Sequence, residues 1–272
     1  RVIGIGGSSL GTEAIYNFLR KKIKKNFSFI NDLDFTTENK KDKNCLNLVV
    51  SKSGETLETI VNSNIIINKK DENLIITENK DNYLYKLAQK LKAQVIHHNN
   101  FIGGRYSVLS EVGMLPAELM GLDSRKFKKF DKLVANKKFL NSLIINVSNI
   151  LELIKRKKFN SVILNYDETT DNFLKWYQQL VAESLGKKGN GIFPIISNMP
   201  KDNHSLMQLY LDGQKNNFYT FFYTKDKNYQ KLNQNIIPSS LKFLKKKDLG
   251  DILHSKILAT KKVFQKKRIP FR

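Results

Sequence analysis

The sequence predicts an α/β fold of two lobes, each a mainly parallel sheet flanked by helices. Three observations predict it. Short apolar runs of strand length alternate with stretches whose apolar residues recur at helical spacing. The alternation stops at Asn100 to Gly104 and resumes as a second series at Ser161. Between the two series lies no linker rich in Pro, Gly or Ser, so the boundary is expected to be helical and compact, near residue 140. The expected lobes are therefore residues 1–140 and 141–272, and 272 residues suffice for two such cores.

In the first series, residues 2–5, 27–30, 46–50, 74–77 and 95–97 read as strands. The run Leu46-Asn47-Leu48-Val49-Val50 is the kind that forms a strand buried on both faces. Residues 12–25, 56–68 and 82–91 lie between the strands and carry apolar residues at helical spacing. A βαβα order of this kind calls for a parallel sheet with helices on both sides. A helix-rich stretch follows at residues 109–118 and 127–155. The second series has strands at 161–164 and 218–223, a helix at 171–184, and a strand or extended segment at 192–197.

The formal charge of +22 invites nucleic acid, an anionic membrane surface or an acidic substrate as partner. The lysines, however, are spread along the chain among abundant Asn and Ile. Their densest clusters, at 21–25, 245–247 and 261–268, read as solvated helix faces or ends. Aromatic-rich nucleic-acid motifs are absent, including the sheet signature of common RNA binders, so no nucleic-acid partner is expected. A positive field that gathers small phosphorylated metabolites fits better. Cys45 stands alone, which excludes an internal disulfide and points to a reducing cytoplasm. No run of about 18 apolar residues occurs, so no spanning helix and no membrane partner are expected. The first residues run straight from strand to glycine turn with no signal peptide, and a buried strand this early reads as the start of a fragment.

The segment Ser51-Lys52-Ser53-Gly54-Glu55-Thr56, between a strand and an amphipathic helix, is built like a phosphate cradle. Helix N-termini offer unpaired N–H groups and a positive dipole end, and Gly54 allows close backbone approach. The same residues would also serve as an ordinary N-cap. Gly4-Ile5-Gly6-Gly7-Ser8-Ser9-Leu10-Gly11 superficially resembles a dinucleotide fingerprint, with Asp32 or Asp34 as ribose ligands. The glycine spacing fits that fingerprint poorly. Adjacent glycines with Ser8 suit a sugar hydroxyl or phosphate better.

Phe101-Ile102-Gly103-Gly104-Arg105-Tyr106-Ser107 is a third glycine turn, able to aim the Arg105 guanidinium at an oxyanion. In the helix at 171–184, Gln179 and Glu183 are four apart and share a face. Trp176, Leu180 and Val181 are expected to bury its other faces and leave Glu183 partly shielded, a setting for a general base. His204 sits in a loop before another helix, where acid–base chemistry and a plain capping role both remain open. His97, His98 and His254 read as structural. No metal site and no Gly-x-Ser-x-Gly elbow is evident.

Together these segments resemble the glucose-6-phosphate isomerase family, built on two sugar-isomerase (SIS) domains. The matching pieces are residues 4–11, 50–56, 103–113, 178–184 and 204–213, in the family's order, and the likeness runs from Val2 to about Pro270. Gly-Gly-Arg-Tyr-Ser with the trailing Gly113 is highly specific to that family, whereas Ser-Lys-Ser-Gly is shared among SIS domains more widely. The resemblance implies interconversion of glucose 6-phosphate and fructose 6-phosphate in glycolysis and gluconeogenesis, with no cofactor or metal. It gives the sugar phosphate to Ser51, Lys52, Ser53 and Thr56, and the sugar site to Gly7 and Ser8. Glu183 becomes the base, Arg105 the stabiliser of the enediolate, and Gln179 the orienting amide. His204 becomes the ring-opening residue, donated by the partner subunit of a homodimer. A non-catalytic SIS-type regulator that binds sugar phosphates is the alternative.

Two departures stand out. Glu55 sets a carboxylate beside the expected phosphate, with its side chain free to turn outward. The family's closing motif with its ring-opening lysine, and its N-terminal helical region, have no counterpart here. The resemblance therefore leads one to expect a partial isomerase or one of weakened activity.

Overall fold

The computed structural model describes residues 1–33, 45–68, 70–225 and 229–272. The elements in chain order are β1 Val2–Ile3, α1 Leu10–Phe18, β2 Phe29–Ile30, β3 Leu46–Val50, α2 Leu57–Ile66, β4 Glu72–Glu78, α3 Tyr83–Leu91 and β5 Gln94–His98. They continue as α4 Glu111–Leu119, α5 Asp131–Val134, α6 Lys137–Lys155, β6 Asn160–Asn165, α7 Asp171–Leu185 and β7 Phe193–Asn198. The last are α8 Asp202–Ser205, α9 Met207–Asp212, β8 Asn217–Phe222 and α10 Leu249–Lys266. Short 3-10 turns at Gly6–Ser8 and Gly104–Leu109 complete the parts needed below. The class is α/β with parallel sheets, as the alternation of runs predicts.

The chain divides into two compact units, residues 1–142 with 169–184 and residues 143–168 with 185–272. Residues 169–184, which sequence order assigns to the second lobe, therefore cluster with the first. Side chains of α7 explain this. Asn172 Nδ2 donates to Glu13 Oε2 at 3.3 Å, and Trp176 Nε1 donates to the Arg105 carbonyl at 3.0 Å.

The first unit holds a five-stranded parallel sheet in the order β2-β1-β3-β4-β5. Side chains alternate along β3: Leu48 and Val50 join Val2, Ile76 and Val112, while Val49 joins Ile3, Ile75 and Leu84 on the opposite face. Burial on both faces is why the strand reads as a nearly continuous apolar run. Helix α1 stops at Phe18, short of residue 25. Arg20 NH1 donates to the Ile23 carbonyl at 2.9 Å and closes a turn where the helical pattern would have continued.

The second unit holds a three-stranded parallel sheet, β7-β6-β8, and the last residues pair beside β8 through Tyr219 N to Pro270 O at 3.0 Å. Its core is aromatic, with the Tyr219 and Phe221 rings set edge-on to Phe264 at centroid distances of 4.9 and 5.6 Å. Asp248 and Asp251 cap α10 reciprocally, each side chain accepting the other's backbone N–H. Among the described residues no helix is long and apolar enough to cross a membrane.

Candidate active site

From β1 the chain moves to β2 on one side, and from β3 it moves to β4 and β5 on the other. In open parallel sheets such a reversal opens a crevice beyond the carboxyl ends of the two central strands, and ligands bind there. Two of the turns singled out in the sequence follow those two strands: Gly6–Ser8 after β1 and residues 51–56 after β3. Both belong to the first unit, as do Arg105, Gln179 and Glu183.

The turn after β3 is locked from within. Ser51 is buried; its Oγ lies 2.8 Å from Thr56 Oγ1 and accepts from Gly54 N at 3.2 Å. Ser53 is exposed and accepts from Glu55 N at 3.2 Å. Gly54 has φ +70°, and a Cβ there would fall 2.2 Å from Asn82 Oδ1, so only glycine fits. Asn82 uses that oxygen to cap α3, accepting from Tyr85 N at 2.9 Å. The Glu55 carboxylate turns away onto α3 as well, where Oε1 accepts from Tyr83 N at 2.7 Å. Thr56, the N-cap of α2, makes no side-chain cap bond to the helix because its hydroxyl is spent on Ser51.

The Lys52 ammonium is also committed. It donates to Asn100 O at 2.8 Å and Ile102 O at 2.9 Å, and it lies 3.5 Å from Glu78 Oε1. This ties the turn after β3 to the loop that leads to Arg105. Buried His98 braces the same loop, with Nε2 3.2 Å from Ile102 O and Nδ1 against Glu111 Oε1. His98 is thus structural. The Glu78 carboxyl is held below the usual carboxylate range, chiefly by the hydrogen bond from Lys80, with Lys52 adding to the effect against the cost of burial.

Gly7 is the meeting point of the two glycine turns. A Cβ on it would come 2.4 Å from the Gly104 carbonyl carbon and oxygen and 2.9 Å from Arg105 N. Ser107 Oγ donates to Gly104 O at 2.7 Å and to Gly7 O at 3.1 Å, fastening the contact. Ser8 follows, half-buried. From this platform Arg105 NH1 reaches Glu183 Oε2 at 3.2 Å, and Gln179 Nε2 donates to the other oxygen of that carboxylate at 2.7 Å. Gln179 Oε1 is buried with no hydrogen-bond partner among the described residues. The Tyr106 hydroxyl first, then Glu183, raises Arg105 above the ordinary arginine value, so the guanidinium stays charged.

The shielding expected of Glu183 is incomplete. Its side chain is 48% exposed, because Leu174 is the buried residue of α7 while Trp176, Leu180 and Val181 are only half-buried. His204 belongs to the second unit, exposed on the short helix α8 and not in a loop. Asp202 organises that helix, accepting from Ser197 Oγ and Asn198 N at 2.8 Å and from Ser205 Oγ at 2.9 Å. Of the two aspartates considered as ribose ligands, Asp34 lies outside the described residues. Asp32 accepts from Leu33 N and lends its carbonyl to Asn62. Among the described residues no group of three or more His, Cys, Asp or Glu is arranged to hold a metal ion.

Sequence reasoning passed over Ser184, Tyr106, Glu13 and Asn82. Ser184 and Tyr106 each directly follow a singled-out residue, which was the available signal. Asn82 caps α3, where an Asn just ahead of a helical pattern was the signal, whereas Glu13 meets Asn172 across 159 positions and left none.

The family model described as phosphoglucose isomerase matches residues 2–260. A glucose-6-phosphate isomerase of Methanocaldococcus jannaschii is 37% identical over 240 residues, which cover 82% of this chain and 59% of that protein. One from Mycoplasma genitalium is 32% identical over 279 residues, covering 92% and 64%. The chain thus spans 59–64% of the length of these curated relatives. Among solved structures, a hypothetical protein of Thermus thermophilus matches at TM-score 0.82 and 22% identity, over 99% of this chain and 71% of that one. A glucose-6-phosphate isomerase of Chlamydia trachomatis matches at TM-score 0.67 and 21% identity, over 95% and 54%. The structural matches bear on the fold alone.

Proposed function

The chain belongs to the phosphoglucose isomerase family, and from that premise we propose that the protein interconverts glucose 6-phosphate and fructose 6-phosphate. A proton moves between C1 and C2 through a cis-enediol. The observation that carries the reading is a carboxylate and a guanidinium 3.2 Å apart, with an amide on the other carboxylate oxygen, all beside the Gly7 turn.

Glu183 takes the proton from C2 of the open-chain aldose and returns it to C1, while the O2 hydroxyl proton passes to O1 so that the ketose forms; such a general-base role typically contributes about 10²–10⁴-fold. Arg105 meets the negative oxygen that develops on the enediolate. The unpartnered Gln179 Oε1 is an acceptor suited to a sugar hydroxyl. Gly7 and Ser8 line the sugar. The phosphate sits at the N-terminus of α2, whose first amides have no acceptor within the helix. Ser53 reaches it, buried Ser51 and its partner Thr56 shape the turn, and Lys52 contributes its backbone N–H while its side chain braces the Arg105 loop. A proton shift between neighbouring carbons leaves the molecule's overall oxidation state unchanged, so the step draws on no redox cofactor. His204 assists ring opening and is donated across a homodimer. The enzyme works in the cytoplasm, where lone Cys45 stays reduced.

One experiment tests both the base and the shared site. Glu183→Gln should abolish exchange of the C2 proton with solvent deuterium while affinity for fructose 6-phosphate survives. Mixing it with inactive His204→Ala subunits should restore part of the activity. Unchanged exchange in Glu183→Gln removes Glu183 as the base, and mixtures that stay inactive remove the donated histidine.

A further inference from the structure

The contacts on Arg105 are more selective than charge pairing requires. Its Nε donates to Ser184 Oγ at 2.9 Å, while NH1 donates to Glu183 Oε2 at 3.2 Å. Ser184 Oγ lies 2.9 Å from the Tyr106 hydroxyl, and the guanidinium carbon stands 4.6 Å from the centroid of the Tyr106 ring. Trp176 Nε1 holds the Arg105 carbonyl at 3.0 Å. Each contact removes a different freedom. The ring face sets the plane of the guanidinium, the serine hydroxyl sets its rotation in that plane, and the indole fixes the main chain beneath it.

We infer that Ser184 and Tyr106 are positioning residues for Arg105, pinning the guanidinium by its Nε edge so that the NH1 edge is presented to the reacting oxygen. The inference rests on the isomerase reading and deepens it. Ser184 directly follows Glu183 on α7, so base and electrophile are fastened to one helical turn. When substrate binds, NH1 exchanges the Glu183 carboxylate for the substrate oxygen while Nε keeps its hold on Ser184. The guanidinium then pivots by a small angle and needs no search through rotamers. Preorganised donors of this kind act on charge that develops in the transition state and add little to ground-state binding.

That difference gives a readout which a merely structural serine would not move. Wild type, Ser184→Ala, Ser184→Thr and Tyr106→Phe are compared for kcat, KM and inhibition by two six-carbon phosphates. One inhibitor is an uncharged polyol; the other is an aldonate whose carboxylate places negative charge where the enediolate forms. Ser184→Ala should lose about 10- to 100-fold in kcat and a similar factor in aldonate affinity, as for a lost hydrogen bond to a charged group. Its KM and polyol affinity should stay within about twofold, since those contacts are shared by ground and transition states. Tyr106→Phe should show the same pattern more weakly, and Ser184→Thr, which keeps the hydroxyl, should recover most of the loss. Equal loss for both inhibitors, or an unchanged kcat in Ser184→Ala, overturns the assignment. A wild-type protein that binds the polyol but does not isomerise defeats the isomerase reading instead, so the two failures are distinguishable.

Discussion

The first unit buries many polar side chains, several of which hold loops, whereas the second is built mainly on a packed cluster of aromatic rings. Among the described residues, every buried polar or charged side chain except Ser161, Asn165 and Ser197 lies in the first unit. Glu13 joins Asn31 to the distant Asn172, while Asn82 and His98 fasten nearby turns, through Thr77 and through Glu111 and Ile102. In the second unit Tyr219, Phe221, Phe264 and Phe271 form a ring cluster, and burial pushes the Tyr219 hydroxyl up to about 12. Burying polar groups is unfavourable unless each finds a partner, but partnered groups specify direction in a way apolar contact does not. Loops that hold a guanidinium against a carboxylate need directional contacts. A supporting sheet needs only area.

The contrast breaks most visibly at Phe264. This fully buried ring touches Tyr219, Phe221 and Phe271, and truncation to alanine should destabilise by about 3–5 kcal/mol. Hydrogen exchange followed by mass spectrometry should show lost protection in β6, β8 and α10. Peptides from β3 and β4 should be little changed. Equal loss in both units would mean that the two cores are not energetically separate.

The matching test in the first unit is Gly7→Ala. Its new methyl would overlap backbone atoms of Gly104 and Arg105, and backbone cannot swing aside as a side-chain end can. Overpacking of this kind should destabilise by about 1–3 kcal/mol, with kcat falling well beyond what that loss explains because Arg105 is displaced. Gly104→Ala is the control, since a Cβ there meets nothing within 4 Å. It should leave both stability and turnover near wild type. Similar effects from the two substitutions would show that the close approach at Gly7 is not what places Arg105.

The same contrast explains what could be read from the sequence. Strands β3 and β6 were legible because burial on both faces leaves an apolar run that needs no tertiary knowledge, whereas the edge strand β7, with exposed and half-buried positions, read only as a strand or extended segment. Helix ends were less so: α1 stops early because Arg20 folds back onto Ile23, a contact that periodicity does not record. At the candidate site, Arg105, Glu183 and Gln179 could be singled out because glycine turns and i, i+4 spacing are local signals. The commitment of Lys52 to Asn100 and Ile102 was not visible, since a lysine beside a glycine turn looks the same whichever way it points. Nor was the grouping of residues 169–184 with the first unit, which depends on Asn172 meeting Glu13 across 159 positions.

The smallest effect separates an ion pair with a shielded carboxylate in the first unit from an exposed pair in the second. Glu78, 11% exposed, is paired with Lys80 at 2.7 Å, and Asp212, 52% exposed, is paired with Lys267 at 2.5 Å. The Lys80 hydrogen bond lowers Glu78, and the Lys267 hydrogen bond lowers Asp212. A carboxyl held below its unfolded value, near 4.3 for a free glutamate, adds stability above that pH and loses it as pH falls through the folded value. Acid unfolding should therefore begin earlier in Glu78→Gln than in wild type at pH 5–6, with the two curves converging at the lowest pH. Because the Glu78 carboxylate is shielded while Lys80 is half exposed, 0.5 M salt should leave part of this difference, whereas Asp212→Asn should be indistinguishable from wild type in salt. The change should register in fluorescence of Trp176, the sole tryptophan and a neighbour of Arg105, because Glu78 steadies Lys52 and hence the loop leading to Arg105. A Glu78→Gln protein whose acid limb overlays that of wild type would mean the Lys52 brace does not depend on the charge of Glu78.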